Sequence, residues 1–170
     1  ESGATLTATI DGVEHTVTFE GVADIEDVRT NTGEVIEVTA NYAYAFYYGD
    51  QYTPNTADNF YFFFSDLGVD ENGWELPNGT YYRFDLYTEI IDTTNGIYIP
   101  EGTYTYDWFD SMQVGTFSDI NSAYYVMDDS GSAYIVDSSL GAGSITFTEG
   151  GVTAEVLVNG ATHIITYEGD

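Results

Sequence analysis

Apolar and polar residues alternate with a period of two along nearly the whole chain, and that rhythm restricts what it can fold into. Ala4, Leu6, Ala8 and Ile10 alternate with Thr5, Thr7 and Thr9; Asp11-Gly12 follows, and Val13, His15, Val17 and Phe19 resume the pattern. Successive side chains of a strand point to opposite faces, so this spacing predicts a β-hairpin with one apolar face, and Asp-Gly supplies its tight turn. Tyr42, Tyr44, Phe46 and Tyr48 share a strand face in the same way. Phe60-Tyr61-Phe62-Phe63-Phe64 is apolar on both faces, which predicts a strand covered on both sides.

Further strands are expected near residues 34–39, 80–88, 103–107, 123–128, 132–137, 144–148, 152–158 and 162–167, separated by Gly, Asn and Asp turns. The spacing of Val22, Ile25 and Val28 within Gly21 to Thr30 hints at one or two helical turns. Together these signals predict a single all-β domain over residues 1–170, an antiparallel two-sheet sandwich of about twelve strands, with a closed β-barrel as the alternative.

Two internal echoes accompany the alternation. Leu76-Pro77-Asn78-Gly79-Thr80-Tyr81 returns as Ile99-Pro100-Glu101-Gly102-Thr103-Tyr104, and each copy reads as a Pro-Gly turn that opens a strand with Thr-Tyr. Thr5 to Gly21 also aligns without gaps on Ser144 to Gly160, apolar faces in phase, which suggests two hairpins in equivalent places.

Charge decides which partners to expect. The 170 residues contain 29 acidic side chains against two arginines, Arg29 and Arg83, for a net charge of −27. The 28 aromatic rings, 16 of them tyrosine, set the chain apart from an acidic disordered tail and give it the material for a core. A surface so poor in cations repels phosphates, so neither nucleic acid nor an anionic membrane surface is an expected partner. No cysteine is present and the only imidazoles are His15 and His163, a supply too small for a zinc site, so no cofactor and no metal is expected. No apolar run approaches the roughly 18 residues of a spanning helix. Lysine-free, acidic and without cysteine, the chain reads as exported to a bacterial exterior, with Glu1 following a removed or uncloned leader.

The segments Asn59 to Ser65 (NFYFFFS), Tyr81 to Tyr87 (YYRFDLY), IPEGTYTY and the closing GSITFTEGG…HIITYEGD resemble the β-rich surface lipoproteins of gut Bacteroidetes, over about residues 59–170. The resemblance implies export and a lipid anchor on a cysteine upstream of Glu1. It also implies O-glycosylation at triplets such as Asp110-Ser111-Met112.

No motif reaches an assigned chemistry. Asp66, Asp70, Glu71, Asn72 and Glu75 around Gly73, and Asp128-Asp129-Ser130 before Gly131, lack the spacing of a calcium loop and read as hairpin turns. His15 and His163 fall in phase with apolar strand neighbours, and no Gly-x-Ser-x-Gly occurs. A carboxylate pair for glycoside hydrolysis cannot be singled out from 29 candidates. The best local candidate is one face of the strand at 81–87: with Tyr82, Phe84 and Leu86 toward the core, Tyr81, Arg83, Asp85 and Tyr87 line the opposite face. There rings could stack on a sugar while Arg and Asp bond its hydroxyls, with Trp74 and Trp108 as additional platforms. Equally, Arg83 could be a scaffold cation stacked on tyrosine. The expected function is therefore a non-enzymatic, exported cell-surface structural or adhesive module with a surface glycan or protein as partner. A glycan-binding module and a carboxylate-pair glycosidase are the alternatives.

Overall fold

The computed structural model describes residues 3–10, 13–20 and 32–169, the first two stretches as backbone only. Strands β1 (Gly3–Ile10) and β2 (Val13–Glu20) form the expected antiparallel hairpin, Ile10 facing Val13 across the turn. The segment from Gly21 to Thr30, where the sequence hints at a helix, lies outside the described residues.

The remaining strands are β3 (Val35–Thr39), β4 (Tyr42–Gly49), β5 (Asp58–Ser65), β6 (Thr80–Thr88), β7 (Gly102–Asp107), β8 (Thr116–Ser118), β9 (Ala123–Met127), β10 (Tyr134–Ser139), β11 (Gly143–Thr148), β12 (Gly151–Val158) and β13 (Ala161–Glu168). They belong to one curled mixed sheet, a half-barrel. The long strand β6 is its branch point. One edge of β6 pairs with β5, and β5 with β4. Its other edge is shared: residues 80–83 pair with β9, which leads to β10, and residues 86–87 pair with β8. From β8 the ladder continues through β7, β11, β12 and β13 to β3. This arrangement corrects the antiparallel expectation at two places, because β13 pairs parallel with β3 and β7 pairs parallel with β8. A single branched ladder joins these strands where two stacked sheets were expected.

The concave side of the curl carries the main core. Phe60, Phe62 and Phe64 of β5 meet Phe84 and Leu86 of β6, Phe117 of β8, and Ile145, Val156 and Ile165 of β11 to β13. Edge-to-face ring pairs such as Phe62–Phe147, with centroids 4.9 Å apart, lock this interior. Each buried Phe, Leu, Ile or Val side chain contributes roughly 1.5–3 kcal/mol of hydrophobic free energy, so these nine together outweigh any single polar contact. The convex side of β5, β6 and β9 is not bare either. Phe63, Tyr81, Tyr125 and Met127 form a second buried cluster, with Tyr44 and Tyr61 against it. The loop from Asp66 to Gly79 covers them: the Tyr81 hydroxyl donates to Gly68 O and accepts from Leu76 N, both at 2.7 Å, while the Tyr125 hydroxyl donates to Glu75 at 2.9 Å.

Both sequence echoes have structural counterparts. In the first, the tyrosine of each copy turns back onto its own entry loop, Tyr81 to Leu76 N and Tyr104 to Pro100 O at 2.9 Å. Gly79 is required there, because a Cβ would sit 2.6 Å from the Tyr81 hydroxyl oxygen and 2.7 Å from its ring. In the second echo both segments are hairpins, but their registers differ. Thr9 faces Glu14, whereas its counterpart Thr148 faces Gly151, the counterpart of Gly12. A slip of two residues keeps every side chain on its face, so alternation alone cannot reveal it.

Candidate functional site

The face singled out on β6 exists, but it is closed. Tyr81, Asp85 and Tyr87 are buried, and Arg83 is half-buried. The guanidinium of Arg83 lies over the rings of Tyr61 and Tyr125, 5.3 and 5.9 Å from their centroids, and its Nε donates to Asn121 O at 2.7 Å. The Asp85 carboxylate accepts from Asn59 Nδ2 at 2.6 Å, Asn121 Nδ2 at 3.2 Å and the Tyr87 hydroxyl at 3.3 Å. Burial raises its pKa above the usual carboxylate range, and the three donors oppose that rise. The alternation assigned these residues to the right face; the loops at 66–79 and 119–122, which fold over that face, convert it from an open platform into an interior. Trp74 and Trp108 are exposed, Trp74 in the loop before β6 and Trp108 in the turn after β7, and neither lines the cleft described below.

The acidic clusters are turn caps. Asp70 accepts from the amides of Asn72 and Trp74, and Asp128 from those of Ser130 and Ser132, which holds both carboxyls below their ordinary pKa. Among the described residues no group of three His, Asp or Glu side chains converges as metal ligands. His163 is buried, its Nδ1 2.7 Å from the Tyr82 hydroxyl and its ring edge-on to Tyr82 and Tyr124. The side chain of His15 is not among those described.

A concavity that the sequence did not anticipate arises at the seam of the half-barrel. Strand β3 rises along β13 and then leaves it: Ala40 N donates to Thr166 O at 2.8 Å, and the next residue, Asn41, donates its N–H to Ser65 O at 3.1 Å. Within two residues the chain crosses from one margin of the curled sheet to the other and continues as β4 along β5. A cavity lies on each side of the crossing. The smaller, about 320 Å³, is lined by Ile36, Val38, Phe64, Tyr82, Tyr124 and His163 among others. The larger, about 700 Å³, opens between β4 and the ends of β11, β12 and β13, with Ile97, Tyr98 and Ile99 along its rim.

Rings dominate the wall of the larger cleft. Tyr47, Phe60, Phe62, Tyr98 and Tyr167 contribute to it, and Tyr98 is 55% exposed; the ring of Phe46 turns to the other side of β4, edge-on to Phe63 at 5.8 Å. Tyr47 is fixed by donation to Asp58 Oδ2 at 2.9 Å, the same oxygen that accepts from Ile91 N at 2.9 Å. Glu149, in the β11–β12 turn, is the single carboxylate among the lining residues, and Thr148 beside it adds a hydroxyl. A cleft of this size and composition can hold a molecule of drug or oligosaccharide dimensions by ring contact, with a few polar groups to orient it. One sequence signal pointed here: Ile97-Tyr98-Ile99 is an apolar run directly before Pro100 that joins no strand ladder. No protein-family model, curated protein or solved structure matches the chain.

Proposed function

We propose that the chain is a non-enzymatic, exported module of a bacterial surface that binds a neutral glycan in the seam cleft. The observation that carries the reading is a concave, ring-lined cleft of about 700 Å³ whose rim presents exposed Tyr98. Pyranose rings have apolar faces that pack on such side chains, while Thr148, Glu149 and the tyrosine hydroxyls can meet sugar hydroxyls. A single lining carboxylate favours binding over two-carboxylate hydrolysis, and a net charge of −27 favours a neutral over an anionic glycan. The same reading takes the curled sheet as a barrel closed through β3 and β4, supported by the two amides that bond opposite margins of the seam. Export and surface anchoring rest on the lysine-free acidic composition and on the likeness to Bacteroidetes surface lipoproteins.

A glycan array followed by calorimetry tests the proposal. A neutral oligosaccharide should bind, and Tyr98→Ala should weaken it at least tenfold, about 1.4 kcal/mol, with the melting temperature unchanged because the ring is exposed. An array without a neutral hit, or a hit indifferent to Tyr98→Ala, overturns it.

A further inference from the structure

The smaller cavity, across the seam crossing from the cleft, is walled by rings and carries one charge. Two margins of the curled sheet build it. His163 of β13 and its register partner Ile36 of β3 come from one, and Tyr82 of β6 and its register partner Tyr124 of β9 from the other. The Tyr82 hydroxyl and His163 Nδ1 meet between them at 2.7 Å. The three rings pack as a trio, the tyrosine centroids 4.9 Å apart and each 5.7 Å from the imidazole. Asp66, the residue after β5, adds a carboxylate to the same lining. It is tied to the start of β6, with Thr80 N donating to its Oδ1 at 2.7 Å and its own N–H donating to Thr80 O at 3.4 Å. Thr80 and Tyr82 share a face of β6, so this anchor places the carboxylate beside the rings. A carboxylate has room for further donors beyond that one amide.

Asp66 is the one charged group among the lining residues, because burial lowers the His163 pKa and keeps the imidazole neutral at neutral pH. No cation of the chain lines the cavity to balance it, and the whole chain carries −27. A metal ion fits poorly: a hard cation takes about six to eight oxygens, whereas Ile36, Val38 and Phe64 give much of this wall to hydrocarbon. An organic cation fits on both counts, since its alkyl groups pack on apolar side chains while its charge is attracted to tyrosine rings and a carboxylate. At about 320 Å³ the space is at the small end of ligand pockets, roughly 300–1,000 Å³. We propose that this cavity binds a small organic cation, an alkylammonium of choline's class, held by the rings of Tyr82 and Tyr124 and balanced by the Asp66 carboxylate. The site lies outside the glycan cleft and does not depend on the glycan reading.

The test is calorimetric titration of the intact chain with choline, beside its uncharged carbon isostere dimethylbutanol. Ionic strength is held constant, so that the diffuse attraction of any cation to a polyanion does not change during the titration. The expected result is one saturable choline site per chain, bound at least tenfold more tightly than the isostere. Asp66→Asn keeps an acceptor for Thr80 N but loses the charge, and should weaken choline at least tenfold. Tyr124→Leu, which replaces a half-buried ring with hydrocarbon, should do the same. Asp70→Asn and Tyr98→Ala should leave choline binding intact, and the latter separates this site from the glycan cleft. If a variant does not fold, the wild-type preference for choline over the isostere still decides. Equal binding of the two would overturn the proposal by showing an apolar pocket with no use for charge. So would weak, non-saturating uptake of choline, or a site indifferent to either Asp66→Asn or Tyr124→Leu.

Discussion

Arg83 shows how one side chain can be read for function from a sequence and found holding a scaffold together. Its guanidinium lies over two rings and donates to a main-chain oxygen, so removing it forfeits two cation–π contacts of about 0.5–1 kcal/mol each and a hydrogen bond of about 1 kcal/mol. Arg83→Ala should therefore destabilise the fold by about 2 kcal/mol, a fall of roughly 4–8 °C in melting temperature for a domain of this size. Glycan affinity at the seam should be unaltered. A variant that melts with the wild type would mean that the stacked arrangement contributes nothing and would reopen the β6 face as a binding surface. Period two correctly grouped Tyr81, Arg83, Asp85 and Tyr87, because face membership follows from strand geometry alone. Whether the face meets water depends on a loop anchored by the Tyr81 and Tyr125 hydroxyls, pairings between residues up to 50 positions apart for which the chain carries no local signal.

Elements of five or more residues were legible, and shorter or cross-connected ones were not. Thr116–Ser118 is too brief for alternation to register, yet β8 is the strand that joins β6 to β7. Parallel pairing of β3 with β13 is likewise invisible, since either direction of a half-buried strand gives the same pattern. The cleft was missed for this reason: it exists because the chain from β3 to β4 changes partner at Ala40 and Asn41. The crossing depends on Asn41, whose N–H bonds Ser65 O and whose Nδ2 donates to Asp66 O at 2.9 Å. Asn41→Ala should lose only the side-chain bond, about 1 kcal/mol, whereas Asn41→Pro removes both bonds and restrains Ala40, and should cost about 3 kcal/mol. Denaturant melts of the two variants check this. Equal losses would show that the main-chain bond across the seam carries no weight.

At the scale of the whole molecule, two opposing responses to pH should separate when salt is varied. A charge of −27 on 170 residues opposes compaction, so at neutral pH the melting temperature should rise with sodium chloride as the screening length shortens from about 10 Å at 0.1 M to about 3 Å at 1 M. Acid acts in the same sense, because protonating carboxylates reduces the repulsion. His163 acts in the other. Burial holds its pKa below the ordinary value of about 6.5, and a neutral ring with its proton on Nε2 can accept from the Tyr82 hydroxyl. Between the folded and unfolded pKa the unfolded chain binds the extra proton, so the contribution of His163 is fully present above about pH 6.5 and is lost as pH falls toward the folded value. At low salt, relief of repulsion should mask that loss on acidification from pH 7.5 to 5.5. In 1 M salt the repulsion is already screened, and the melting temperature should fall over the same interval; His163→Gln should abolish that fall. Melts at the two salt concentrations across this pH range provide the measurement. A high-salt profile that is flat, or that survives the substitution, would remove His163 as the titrating group.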